Sequence, residues 1–227
     1  MCGRFFVVGE SENELLARMI NEAERRKKAL TGEGGVSVGE VFPGTTVAAL
    51  ALSKEGRAGA YPMLWGFGRP GGKGLVINAR SETALDKAMF HAPMLERRCL
   101  IPCNWYFEWE TADAQVSMAD EAPSFQALAE SLKPGKRKKD ALKIKYAIRP
   151  KAPGIMYLAG IYRYEADKKL PCLSILTREA APGIAFIHDR MPVIFSQANH
   201  AAWLDRAADP METLRLCETE MDFRAAS

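Results

Sequence analysis

The sequence predicts an α+β protein, a single domain over residues 1–227 with a curled, largely antiparallel β-sheet flanked by helices. Two observations carry that reading: many strand-like runs follow one another, and few of them alternate regularly with helical segments. A third, the absence of any internal repeat, sets aside solenoids and propellers. A chain of 227 residues is also long enough to bury a sizeable core.

The elements are read in order. Phe5-Phe6-Val7-Val8 is strand-like, and Ser11-Glu12-Asn13-Glu14 then reads as a capping box. Leu15, Leu16, Met19, Ile20 and Ala23 continue at helical spacing, which predicts an amphipathic helix over 12–29, ended by the glycines after Thr31. Strands are expected at 46–52, 61–65, 75–79, 99–102 and 105–109, with a short helix within 83–97. Residues 111–142 differ in character. They are polar, contain Pro123 and the Pro134-Gly135 turn signal, and read as an insertion with at most one short helix, near 125–132. Strands resume at 144–148, 155–164, 173–177 and 191–195, and short helices are expected around Trp203 and Leu214.

Composition narrows the function classes. The longest apolar runs, such as 47–52, are far too short to span a bilayer, and no signal-peptide pattern opens the chain. A cytoplasmic protein is therefore expected, without a membrane partner. Five cysteines, an odd number without framework spacing, fit a reducing compartment. With three histidines and no C-x-x-C pair, neither a metal nor another cofactor is expected. A net charge of +3 permits a nucleic-acid partner without demanding one. The run KPGKRKKDALKIK at 133–145 sets seven basic residues against one acid, and reads as a solvated loop or a phosphate-contacting segment.

Four short stretches concentrate candidate chemistry. Cys2-Gly3-Arg4 would expose a 1,2-aminothiol if Met1 were removed, as is favoured before a small residue. At 76–83, VINARSET, apolar strand residues lead into a polar cluster that serves either a site or a helix cap. In Asn104-Trp105-Tyr106-Phe107-Glu108-Trp109-Glu110, alternation puts Asn104, Tyr106 and Glu108 on one face and the two tryptophans on the other. A carboxylate there is costly to bury unless paired or catalytic; otherwise it lies in water on an edge strand. His188-Asp189-Arg190 offers a proton shuttle, or a histidine satisfying a local turn. His91 and His200 read as surface helix positions, Trp65 as core, and the cysteines other than Cys2 as buried small hydrophobes.

Taken together and in order, M-C-G-R-F, W-G-F, N-A-R-S-E-T, R-C-L-I-P-C-N-W-Y-F-E-W, Y-L-A-G-I-Y, L-T-R-E-A and H-D-R-M-P-V-I resemble the SRAP family, the SOS response-associated peptidases or abasic-site processing proteins. The resemblance runs from Cys2 to about Trp203, with 111–142 as an insertion. It implies a protein of the DNA damage response that captures abasic sites in single-stranded DNA through a thiazolidine linked to Cys2, with abasic-site lyase chemistry as a side activity. The implied catalytic set is Cys2, Asn78, Glu108 and His188. The implied DNA contacts are Arg4, Pro43, Arg80, Thr177 and Arg190. A monomer, nucleoid-associated when DNA-bound, is expected. Two departures stand out: Glu40 occupies the asparagine position of the family's N-x-x-P loop, and Gly71-Gly72-Lys73 stand where members often carry a second tryptophan. Two rivals remain. One is an N-terminal-nucleophile peptidase, a hydrolase using the same Cys2 thiol, and the other is a non-covalent single-strand binder.

Overall fold

The structure, a computed structural model, describes residues 2–8, 13–110 and 144–226. The fold is α+β, as the sequence predicts. The expected short helix near 125–132 and nearly all of the basic run lie outside the described residues.

The first sheet holds β1 (Arg4–Val7), β2 (Gly39–Val41), β9 (Trp105–Trp109), β10 (Lys145–Pro150) and β15 (Met221–Ala225), in the order β15-β10-β9-β1-β2 and antiparallel throughout. The second is larger. Its strands are β3 (Thr46–Leu52), β4 (Ala58–Trp65), β8 (Arg98–Cys103), β11 (Met156–Arg163), β12 (Cys172–Glu179), β13 (Arg190–Pro192) and β14 (Ile194–Phe195), in the order β13-β12-β4-β3-β8-β11-β14. It curls until β11 also pairs with β12. β12 runs parallel to β4 and to β7 (Asn78–Arg80), so the mixed character of the sheet concentrates on this one strand. A small hairpin joins β5 (Phe67–Gly68) to β6 (Leu75–Val76).

β8 is buried at every residue, and β11 and β12 nearly so, which is why all three read as continuous apolar runs rather than alternating ones. Helix α1 (Glu14–Thr31) buries Leu16, Met19, Ile20 and Ala23 against β3 and β4. Its cap is Asn13, whose side chain accepts from the Leu16 amide at 3.1 Å, while Ser11 and Glu12 of the expected capping box lie outside the described residues. Gly32, with φ of 82°, closes the helix by donating to the Lys28 carbonyl. Helix α2 (Ala88–Glu96) and the short helices His200–Leu204 and Pro210–Leu214 lie within or beside the expected segments.

Two expected strands are broken. The 75–79 run divides at Ile77, and the 191–195 run divides at Val193, where the chain leaves β12 to pair with β11. Trp65 is core, as expected, donating from its indole to the Ile77 carbonyl at 3.1 Å. His200 departs from its surface reading, because it is half-buried and stacks on Tyr157 at 4.3 Å. Among the described residues, no helix is long and apolar enough to cross a membrane.

Candidate functional site

Cys2 lies two residues before β1, which is an interior strand held by β9 on one side and β2 on the other. The residue is completely buried. Asn78, the first residue of β7, donates from its side-chain amide to the Cys2 main-chain carbonyl at 3.0 Å. Asn78 is placed by the break at Ile77, whose carbonyl accepts from both the Trp65 indole and the Ile175 amide. The Asn78 side-chain oxygen is buried and has no hydrogen-bond partner among the described residues.

Glu108 is only 5% exposed, so the alternative of a water-exposed edge carboxylate does not hold. Burial pushes the Cys2 thiol well above its usual range, and the neighbouring Glu108 charge pushes it further. Burial also raises the Cys103 thiol and the Tyr106 phenol, in each case with Cys2 adding to it and, at Tyr106, Glu108 as well. Cys2, Glu108, Tyr106 and Cys103 therefore form one electrostatic neighbourhood. The sequence motifs do not assign Tyr106 to the site, although strand alternation already puts it on the face of Glu108.

A second group gathers at the C-terminal end of β12. Thr177 of β12 stands opposite Arg80 of β7 and Pro192 of β13. Arg80 is exposed. Arg190 donates twice to the Glu82 carboxylate, at 2.8 Å each, and once to the Thr177 carbonyl at 2.8 Å. Thr177 is completely buried, with its hydroxyl 3.4 Å from the Ala79 carbonyl. It ties β7 and Arg190 to β12. His188 is held through Nδ1, which accepts from the Arg190 amide at 3.0 Å and lies 2.7 Å from the Asp189 carboxylate.

The third group forms the outer flank. The Arg4 guanidinium sits 4.8 Å from the ring centres of both Phe42 and Trp109 and donates to Glu40 at 3.1 Å. Lys145 donates to both Glu40 oxygens, at 2.9 and 3.0 Å, and lies over Phe107. Pro43, half-buried, follows Phe42 in the turn after β2. Among the described residues no group of histidine, cysteine or acidic side chains is arranged to hold a metal ion.

A family model described as SOS response associated peptidase (SRAP) matches residues 1–226. The chain belongs to that family. This SRAP chain is 26% identical over 225 residues to the Bacillus subtilis "Abasic site processing protein YoqW", covering 92% of the chain and 83% of the relative. It is 26% identical over 206 residues to the Escherichia coli "Abasic site processing protein YedK", covering 90% and 79%. Its fold is similar to that of the crystal structure of a phage-related protein from Bordetella bronchiseptica, with a TM-score of 0.63, 20% identity and coverage of 99% and 94%. A Bacteroides thetaiotaomicron protein structure matches with a TM-score of 0.60 at 21% identity, covering 83% and 78%. These two likenesses are of fold alone.

Proposed function

We propose that this protein processes abasic sites by capturing them covalently in single-stranded DNA, with the α-amine and thiol of Cys2 as the reagents once Met1 has been removed. The observation that carries the reading is the hydrogen bond from Asn78 to the Cys2 carbonyl. It holds the main chain of residue 2, which matters most if the reacting atom is that residue's own nitrogen. The names of the curated relatives support the substrate class.

The chemistry runs in three steps. An opened abasic deoxyribose presents an aldehyde. An α-amine, with an ordinary pKa of roughly 7.7–8.0, is substantially neutral near physiological pH and adds to that carbon. The resulting carbinolamine loses water to give an imine. The thiol sulfur then adds to the imine carbon while its proton passes to the nitrogen, closing a five-membered thiazolidine with one water released overall. Glu108, whose charge acts on the thiol, would move protons during dehydration and closure. His188, held beside Asp189 and the Arg190 amide, would be a second proton carrier. The side-chain oxygen of Asn78 is a buried acceptor for the amine or a sugar hydroxyl. β-Elimination from the imine would give slow strand cleavage as a side activity. Arg80, Arg4 and Arg190 would hold phosphates without reading sequence, and Thr177 would act by positioning Arg190.

An imine is a stronger electrophile than an amide and accepts the thiol once the amine has reacted, so capture asks less of the sulfur than the peptidase rival does.

The test is a denaturing gel after incubation with single-stranded DNA bearing one abasic site. A heat-stable adduct is expected from the wild type and none from Cys2→Ala, with mass spectrometry showing residue 2 as the N-terminus of the reactive protein. Equal adduct from both proteins, or full reactivity with Met1 retained, would overturn the proposal. Cleavage of an added peptide by the wild type alone would favour the peptidase, and binding without adduct the passive module.

A further inference from the structure

Three aromatic side chains from separate parts of the chain meet, and one of them neighbours Glu108. Tyr146 of β10 pairs directly with Glu108 across the β9–β10 ladder. Directly paired residues in an antiparallel sheet put their side chains on the same face, roughly 5 Å apart at Cβ. Ring centres separate Tyr146 from Phe186 by 5.9 Å, Tyr146 from Phe223 by 5.8 Å and Phe186 from Phe223 by 5.2 Å, each pair near edge-to-face. Phe186 stands two residues before His188, and Phe223 lies on the edge strand β15. The cluster therefore adjoins Glu108 through Tyr146 and shares a chain segment with His188 through Phe186.

Its exposure is unusual for such residues. Phe186 is 40% and Phe223 45% exposed, while the edge-to-face contacts hold all three rings at fixed tilts. Scattered exposed apolar residues need no explanation, but a contiguous aromatic cluster at the rim of a site marks an interaction surface. Rings held in this way offer flat π-faces to a planar ligand, and stacking on such faces tolerates any base. An abasic nucleotide has no base of its own to stack, so the neighbouring nucleotide is the one available to fix the strand.

We propose that Tyr146, Phe186 and Phe223 form a stacking platform for the nucleobase adjacent to the captured abasic site. The proposal rests on the capture reading above and supplies the base-binding element of that same site. Phosphate contacts by arginines position a strand, whereas this platform sets which nucleotide lies at the reacting carbon.

The experiment uses the full-length Cys2→Ser protein and single-stranded oligonucleotides carrying a tetrahydrofuran abasic analogue, with 2-aminopurine on one side or the other. The 2-aminopurine fluorescence is expected to change on binding at one of the two neighbours. The double variant Phe186→Leu, Phe223→Leu keeps apolar bulk but removes the π-faces. It is expected to abolish that change and to weaken binding about five-fold or more, whereas Phe186→Trp should keep both. Leucine variants that bind and respond like the parent would overturn the platform. So would a concentration-dependent dimer that the leucine pair dissociates, because the cluster would then serve a second copy of the chain. The two proposals fail separately. Adduct formation by the wild type with no response at either neighbour sinks the platform alone, and a response without any adduct sinks covalent capture alone.

Discussion

Glu40 is shared by Arg4 and Lys145, and that sharing limits how strongly the outer flank can hold a polyanion. Burial alone would raise this carboxyl, but hydrogen bonds from Lys145 and Arg4 hold it below the usual carboxylate range, so it stays ionised. Replacing it by glutamine uncovers positive charge without changing shape. Glu40→Gln is therefore expected to bind undamaged single-stranded DNA several-fold more tightly at low salt, with a steeper loss of affinity as salt rises. Fluorescence anisotropy at two ionic strengths checks this, and an unchanged or weaker affinity would count against it. The same residue shows where sequence reading stops. Its departure from the family loop is visible in the string of letters, but the two cations it pairs with lie 36 and 105 positions away. The bidentate Arg190–Glu82 pair spans 108 positions and is equally hidden. Cys2, Asn78 and Glu108 can be picked out because motif order carries them, whereas Tyr106 needs the fold to bring its phenol near the thiol. The family resemblance implies Thr177 as a DNA contact, and the structure places it fully inside.

At the scale of elements, Gly66 controls the passage from β4 into the β5–β6 hairpin. Its φ is 124°, its amide donates to the Leu173 carbonyl at 2.8 Å, and an added Cβ would lie 2.8 Å from that of Leu75. Gly66→Ala combines backbone strain with overpacking and should cost at least about 2 kcal/mol. For a chain of this size that corresponds to a fall of roughly 4–8 °C in melting temperature, readable by circular dichroism. A melting temperature within a degree of wild type would contradict the geometry. The boundaries of Thr46–Leu52 and Trp105–Trp109 are readable to the residue because apolar or alternating side chains fill them. β2 and β15 do not read as strands. Each is short and lies at a sheet edge, with the sequences GEV and MDFRA, and owes its strand character to a neighbour's ladder rather than to its own apolar pattern. The division at Val193 is likewise invisible in the letters, because both halves are apolar and only their partners differ.

Across the whole molecule, burial favours the protonated form of four thiols. Burial raises Cys2, Cys99 and Cys103, and it pushes Cys172 up to about 12. A thiol whose folded value exceeds its unfolded one, near 8.5–9, stabilises the fold fully below that unfolded value, and the contribution is lost as pH rises through the folded one. Under reducing conditions the thermal midpoint should therefore change little from thiol ionisation up to about pH 8.5 and then fall as the pH is raised towards 10.5. A midpoint that holds level to pH 10.5 would show that these groups are not buried as described. The interior placement of β1 bears on the same balance. Strands at the start of a chain commonly fray, opening and closing many times while the rest of a protein stays folded. β1 is bonded along both edges, and the Asn104 side chain accepts from the Val8 amide just beyond it. Amide exchange at Phe5 and Phe6 should then be as slow as in the deep core, so residue 2 meets its substrate from a backbone that does not wander.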